Sequence, residues 1–193
     1  MLQNLDKYDI ILASNSPRRR ELLADLGVKF RVQVIGGVDE SYPASLPPLE
    51  IAQYIAQVKA QAHKSLIHSN ELVITADTVV ALDNRVLGKP AHAAEAREML
   101  RALSGKTHKV ITGVTVTTAR RQEAFSAVTD VVFAPLDDDE IDYYVTRFSP
   151  LDKAGAYGIQ EWIGCMGVSH ISGSFYNVMG LPLHRLYTVL KTF

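Results

Sequence analysis

Apolar positions along this chain follow two spacings, and the spacing assigns the elements. Residues 8–13 form an apolar run of strand length. It leads into residues 17–26, where Leu22, Leu23 and Leu26 share one helical face. Ser16 is placed to cap that helix, Pro17 to open it and Gly27 to end it. Residues 28–35 read as a second strand ending at Gly36-Gly37, and a loop rich in proline and serine fills 39–48. A long helix follows over 49–67, with Ile51, Ile55, Val58 and Ala62 in helical register. The stretch ELVITADTVVAL, residues 71–82, is β-branched and almost wholly apolar, as in a strand covered on both faces. Asp83-Asn84 signals a turn, and 85–87 can return beside it.

Helical spacing resumes over 93–103 and stops near Gly105. Two long strands, 107–118 and 123–133, are joined near Arg120-Arg121. The stretch LDDDEI carries a capping box. Asp137 can cap, Glu140 follows three residues later, and Leu136 can staple onto Ile141, opening a helix to about residue 147. Residues 149–167 are glycine-rich and read as a shaped loop, and 171–179 as a segment holding a short strand. Pro182 opens a terminal helix with Leu183, Leu186 and Leu190 inward. Strands and helices interleave throughout, which sets the class as α/β or α+β. There is no repeat, low-complexity tract or linker, so residues 1–193 are expected to form a single domain, long enough for two lobes sharing a core.

Composition narrows the function classes. Hydrophobic residues make up 47% and charged residues 21%, the balance of a soluble globular protein. A net charge of −1 argues against a general binder of nucleic acid or acidic membranes, so any use of positive charge must be local. Cys165 is the single cysteine, which excludes an intrachain disulfide and a cysteine-based zinc site. The start, MLQNLDKYD, lacks the order of a signal peptide, and no apolar run reaches membrane-spanning length. A cytoplasmic location, with neither membrane nor nucleic acid as partner, is the expectation.

Several places carry candidate chemistry. Arg18, Arg19 and Arg20 crowd the first turn of a helix whose N-terminus the macrodipole already makes electropositive. A bound anion would reverse that cost, because free N–H groups, the dipole and guanidinium forks all favour phosphate. Ser14, Ser16, Arg18 and Arg19 would then make a phosphate site; a solvated basic turn balanced by Glu21 is the alternative. No P-loop pattern occurs in the chain. Asp77 interrupts an apolar strand and shares a face with Val73, Thr75, Val79 and Ala81. A lone carboxylate there needs a partner, which a structural turn or a functional site can each supply. If Asp83-Asn84 is a two-residue turn, Leu82 faces Arg85, Thr78 faces Lys89 and Pro90 faces Asp77, which delivers Lys89 beside Asp77. That would be either a simple ion pair or part of a phosphoryl-transfer site. Glu40, in an acidic loop, could share Mg²⁺ or Mn²⁺ with Asp77. Lys59, beside the apolar helix face, reads by itself as an ordinary snorkelling lysine.

Taken together, the segments LASNSPRRRELL, VDE, KA at Lys59, ADTVV, GKP, LSGKTHKVITGV, TDVVF, PLDKAGAYGIQ and GSFYNVMGLPL resemble the Maf family of nucleoside triphosphate pyrophosphatases, from about residue 10 to 190. The string AGAYGIQ is most similar to the subgroup acting on dTTP and UTP. The resemblance implies an elongated, ITPase-like α/β fold, with a central mixed twisted sheet flanked by helices and a cleft between two lobes, often in a homodimer. It implies hydrolysis of dTTP and UTP, and of modified pyrimidine nucleotides, to the monophosphate and diphosphate with a divalent cation. Asp77 would be the general base, and Arg18, Thr78 and Gln160 would recognise the pyrimidine nucleotide. Glu40, Lys59 and Lys89 would line the phosphate and metal site. Ser14 and Arg19 join the binding set from the helix argument. A nucleotide-binding regulator of cell division and septum formation is the alternative function.

Overall fold

The computed structural model describes residues 2–193 and shows a mixed sheet with helices between its strands. The strands are β1 (Asp9–Leu12), β2 (Arg31–Val32), β3 (Glu71–Leu82), β4 (Arg85–Leu87), β5 (Thr107–Thr118), β6 (Gln122–Phe133) and β7 (Val168–Ser172). The helices are α1 (Pro17–Asp25), α2 (Pro48–Lys64), α3 (Ala93–Leu103), α4 (Asp138–Phe148), α5 (Trp162–Gly167), α6 (Phe175–Met179) and α7 (Leu183–Leu190). Strand order is β2-β1-β3-β5-β6-β7, with β4 paired to β3 off that path. β1 is parallel to β2 and β3, whereas β4 is antiparallel to β3 and β7 to β6. The chain divides into two compact units. The first comprises the chain up to Asp77, Thr112–Ala127 and Gly180–Phe193; the second comprises Thr78–Ile111 and Val128–Met179.

In the first unit the chain leaves β1 through α1 to reach β2, then passes through α2 to reach β3 on the other side of β1. Parallel neighbours require such crossovers. The two connections run to opposite sides of β1, a topology whose usual ligand position is the C-terminal ends of the parallel strands. α2 sits close to the sheet through small residues. Ala52, Ala56 and Ala60 are fully buried, and the Thr75 hydroxyl donates to the Ala56 carbonyl at 2.7 Å. Gly113 of β5 permits that approach, since a Cβ there would stand 2.3 Å from Gln53 N and 2.4 Å from the Ala52 carbonyl. The apolar stripe expected on this helix is thus partly replaced. Ile51 and Ile55 are buried, but Val58 and Ala62 are only half-buried and the alanines face the sheet. The second strand is also shorter than expected, Arg31–Val32 rather than 28–35. It is an edge strand with β1 as its one partner, and both its residues are exposed, so the ladder has support from one side alone.

The second unit holds an apolar core in which Val80, Leu87, Leu100, Leu103, Val131, Phe133 and Tyr144 pack together. The β3–β4 hairpin has the expected register, Leu82↔Arg85 to Val80↔Leu87, with Asp83 at φ 54° in the turn. The ladder ends there, so the expected facing of Thr78 with Lys89 and of Asp77 with Pro90 is not part of it. Beyond Leu87 the Gly88 carbonyl accepts the Gly155 N–H at 3.0 Å, and Lys89 follows exposed. α4 begins with the capping box of Asp137 and Glu140. Residues 149–167, expected as loop, contain a 3₁₀ turn at Ala154–Ala156 and the helix α5. Gly164 makes α5 possible, because a Cβ at that position would overlap the Ile159 carbonyl oxygen at 1.7 Å.

Candidate active site

The first unit builds its site where β1 and β3 diverge. The Ala13 N–H still donates to the Ile74 carbonyl at 2.9 Å, and the chain then turns away. Buried Ser14 accepts the Ser16 N–H at 3.2 Å, and Ser16 accepts the Arg19 N–H at 3.4 Å, capping α1 as its sequence position implies. Among the crowded arginines, Arg19 and Arg20 reach backbone carbonyls. Arg19 donates from Nε to the Gly180 carbonyl and from Nη1 to the Ala76 carbonyl, each at 2.9 Å, with Ser14 Oγ at 3.4 Å. Arg20 turns back onto the Asn15 carbonyl at 2.8 Å. Arg18 is half-buried at the same helix start.

Asp77 lies three residues beyond Ile74 on β3, and it is paired. Lys59 Nζ stands 2.8 Å from Asp77 Oδ1 and 3.0 Å from Glu40 Oε2. Two strand residues advance about 6.6 Å and three helical residues about 4.5 Å, so the Thr75–Ala56 bond brings Lys59 within side-chain reach of Asp77. Lys59 and Asp77 are each 18% exposed and Glu40 51%, which places the ammonium between a sheltered carboxylate and a solvated one. Burial lowers the Arg19 pKa from the ordinary arginine value. The Asp77 carboxylate opposes that shift, Arg18 adds to it and Glu40 opposes it. Ser14, Arg18, Arg19, Glu40, Lys59 and Asp77 therefore form one electrostatic cluster. Cations line the helix start, and two carboxylates are directed at one ammonium.

Thr78, Lys89 and Gln160 belong to the second unit. Thr78 is half-buried and directly follows Asp77 in β3, while Lys89 is exposed behind the hairpin. Gln160 is exposed in the turn that leads into α5.

A family model for Maf-like proteins matches residues 9–193. The chain belongs to the Maf family. Its curated relatives include a dTTP/UTP pyrophosphatase of Phocaeicola vulgatus, 60% identical over 191 residues and 99% of each chain. Another, from Parabacteroides distasonis, carries the same name and is 55% identical over the full length of both chains. Among solved structures, a HAM1 protein from Coxiella burnetii matches with a TM-score of 0.51 at 20% identity, covering 96% of this chain and all of that one. The Ham1 protein of Staphylococcus aureus matches with a TM-score of 0.51 at 18% identity, covering 95% of this chain and 98% of that one. At that identity the likeness is one of fold.

In this Maf protein Asp77 and Glu40 are the residues whose oxygens could hold a hard divalent cation. Asp77 and Glu40 supply carboxylate oxygens directed at one point, where Lys59 now lies. Among the described residues no cluster of three or more acidic, histidine or cysteine ligands exists. Two carboxylates could hold a hard ion only together with waters or substrate oxygens.

The residues alone understated Lys59, because nothing in its spacing shows that α2 crosses the sheet opposite Asp77. They also missed a second polar cluster, Tyr144, Lys153 and Glu161, around the Gln160 turn. Its one sequence signal is Lys153 at the head of AGAYGI, a buried run in which a lysine must find a partner.

Proposed function

We propose that this protein is a nucleoside triphosphate pyrophosphatase that hydrolyses dTTP and UTP to the monophosphate and diphosphate. The observation that carries the reading is the Asp77–Lys59–Glu40 cluster at the divergence of β1 and β3, beside the arginine-rich start of α1. Full-length relatives named dTTP/UTP pyrophosphatase supply the substrate class.

Asp77 acts as general base. Lys59 engages Oδ1, and Oδ2 is the oxygen that orients the attacking water and takes its proton. The water oxygen bonds to one phosphorus of the α–β anhydride, the bridging P–O bond breaks, and the departing phosphate takes the electron pair, so that monophosphate and diphosphate result. Arg18, Lys59 and Lys89 neutralise the charge of the triphosphate, with Ser14 and Arg19 shaping the loop that receives it. Arg19 contributes mainly by tying the start of α1 to Ala76 and Gly180, which holds Ser14 and Arg18 in register with Asp77. Asp77 and Glu40 would hold Mg²⁺ or Mn²⁺, which would add positive charge against the phosphates. Arg18, Thr78 and Gln160 select the pyrimidine nucleotide; the Gln160 amide offers both a donor and an acceptor. The enzyme works in the cytoplasm as a homodimer, which light scattering of the purified protein tests. Among the described residues no helix is long and apolar enough to cross a membrane.

The deciding experiment is a nucleotide panel with Mg²⁺ or Mn²⁺, run on the parent and on Asp77→Asn with products resolved by chromatography. The expected result is monophosphate and diphosphate from dTTP and UTP, abolished in the variant. Full activity of Asp77→Asn would remove the base from the mechanism. Nucleotide binding without cleavage of any triphosphate by the parent would instead make the protein a regulator.

A further inference from the structure

The turn that carries Gln160 is closed on itself. The Gly158 N–H donates to Tyr144 Oη at 3.0 Å, and the same hydroxyl donates to Glu161 Oε2. The Glu161 N–H returns to the Gly158 carbonyl at 3.0 Å. Glu161 Oε1 takes the Lys153 ammonium at 3.1 Å, and Lys153 also holds Asp152 at 2.7 Å. Tyr144 is fully buried and stacked on Phe148, so its hydroxyl is a fixed point supplied by α4. Burial, followed by the Glu161 carboxylate, raises the Tyr144 pKa, which keeps the hydroxyl protonated as the donor. Within this ring Tyr157 and Ile159 are buried and Gln160 is exposed. The spot where a Gly158 Cβ would sit lies 3.1 Å from Glu161 Oε2 and 3.2 Å from Gln160 Nε2, so the amide and the carboxylate flank one small space.

We propose that Tyr144, Glu161 and Lys153 are positioning residues that fix the side-chain amide of Gln160 for reading the pyrimidine edge. This rests on the reading that Gln160 selects the base. Glu161 stands at the N-cap of α5 yet makes no capping hydrogen bond; its carboxylate is turned inward to Tyr144 and Lys153. A lysine that is 9% exposed is costly unless paired, and here the pairing orients a neighbour. The orientation matters because an amide flipped or displaced presents its donor where its acceptor should be, and a misplaced partner loses discrimination more than turnover.

The test compares Tyr144→Phe, Glu161→Gln and Gly158→Ala with the parent and with Gln160→Ala. Each is assayed for kcat and KM on dTTP and dCTP, for Tm, and for the Gln160 side-chain amide signal by NMR, assigned by its loss in Gln160→Ala. Tyr144→Phe keeps the stacked ring and removes one hydroxyl. Gly158→Ala removes no network group, and it pushes the amide and carboxylate by a few tenths of an ångström. The expected result is a fall of about tenfold in the preference for dTTP over dCTP, carried by KM, with a displaced amide signal and little change in kcat. Loss of preference in Gln160→Ala but not in the other three would overturn the positioning role and leave the Gln160 reading intact. Unchanged preference in Gln160→Ala would overturn both. If Tyr144→Phe fails to fold, Glu161→Gln and Gly158→Ala decide by the same readouts.

Discussion

Arg19 shows how little a residue type says about its use. Three arginines at a helix start suggest a phosphate site, yet Arg19 commits two of its donors to the Gly180 and Ala76 carbonyls. Arg19→Lys is therefore expected to destabilise the fold by about 1–3 kcal/mol, since one ammonium on a flexible stem cannot serve both carbonyls in fork geometry. Urea unfolding measures this, and an unchanged midpoint would return Arg19 to the purely substrate-facing role. Lys59 is the opposite case, a side chain that looks ordinary in sequence and sits between two carboxylates in the fold. Lys59→Met leaves Asp77 without its counter-charge and is expected to lower kcat by at least about a hundredfold while KM changes less. A parental kcat would remove the ammonium from the reaction.

At the scale of elements, the distance between α2 and the sheet decides whether Lys59 and Asp77 meet. Gly113 and the alanines of α2 set that distance, and Gly113→Ala would place a methyl inside the backbone of Gln53 and Ala52. Overpacking of this kind costs about 1–3 kcal/mol or more. Because the helix must retreat, activity should fall further than the population of unfolded protein explains, which parallel melting and kinetic measurements can separate. A variant with parental Tm and activity would show that the approach is not needed. Element ends were readable in sequence wherever a local rule sets them. The Ser16 cap, the Asp137–Glu140 box and the Pro182 start all stand where capping chemistry puts them. The 28–35 strand and the 149–167 loop were misjudged because their states depend on neighbours: one pairs on a single side at the sheet edge, and the other is held by Gly88, Tyr144 and Lys153.

For the whole molecule, pH sets stability through buried histidines. His108 is buried against Phe133 and Tyr157, with Nε2 2.7 Å from the Tyr157 hydroxyl, and burial pushes its pKa down from 6.5 to about 4. Burial lowers His63 in the same direction. The unfolded chain therefore binds more protons below the ordinary histidine value. Stability is fully present above pH 6.5 and declines as pH falls towards 4, by on the order of 3 kcal/mol for His108. His108→Gln should flatten that decline in a series of urea melts, and an unchanged slope would exclude His108 as its source. Chelation supplies a second global test. EDTA should abolish hydrolysis of dTTP, and added Mg²⁺ or Mn²⁺ should restore it, with little change in Tm because the carboxylates already hold Lys59. Persistence of full activity in chelator would remove the cation from the reaction.

The sequence by itself determined the order of elements up to α4 and the terminal helix, though not α5 and α6 between them, together with the mixed class, the register of the β3–β4 hairpin and the anomaly of Asp77, because periodicity, caps and turn residues act over a few positions. Its resemblance to the Maf family also named the residues now proposed as the site. Tertiary structure alone decided what those residues touch. Which face α2 turns to β3, which carbonyls Arg19 reaches and which hydroxyl closes the Gln160 turn all follow from contacts between segments distant in the chain, such as Arg19 with Gly180 or Gly158 with Tyr144. Such pairings are selected by packing of the assembled chain, and no local spacing encodes them.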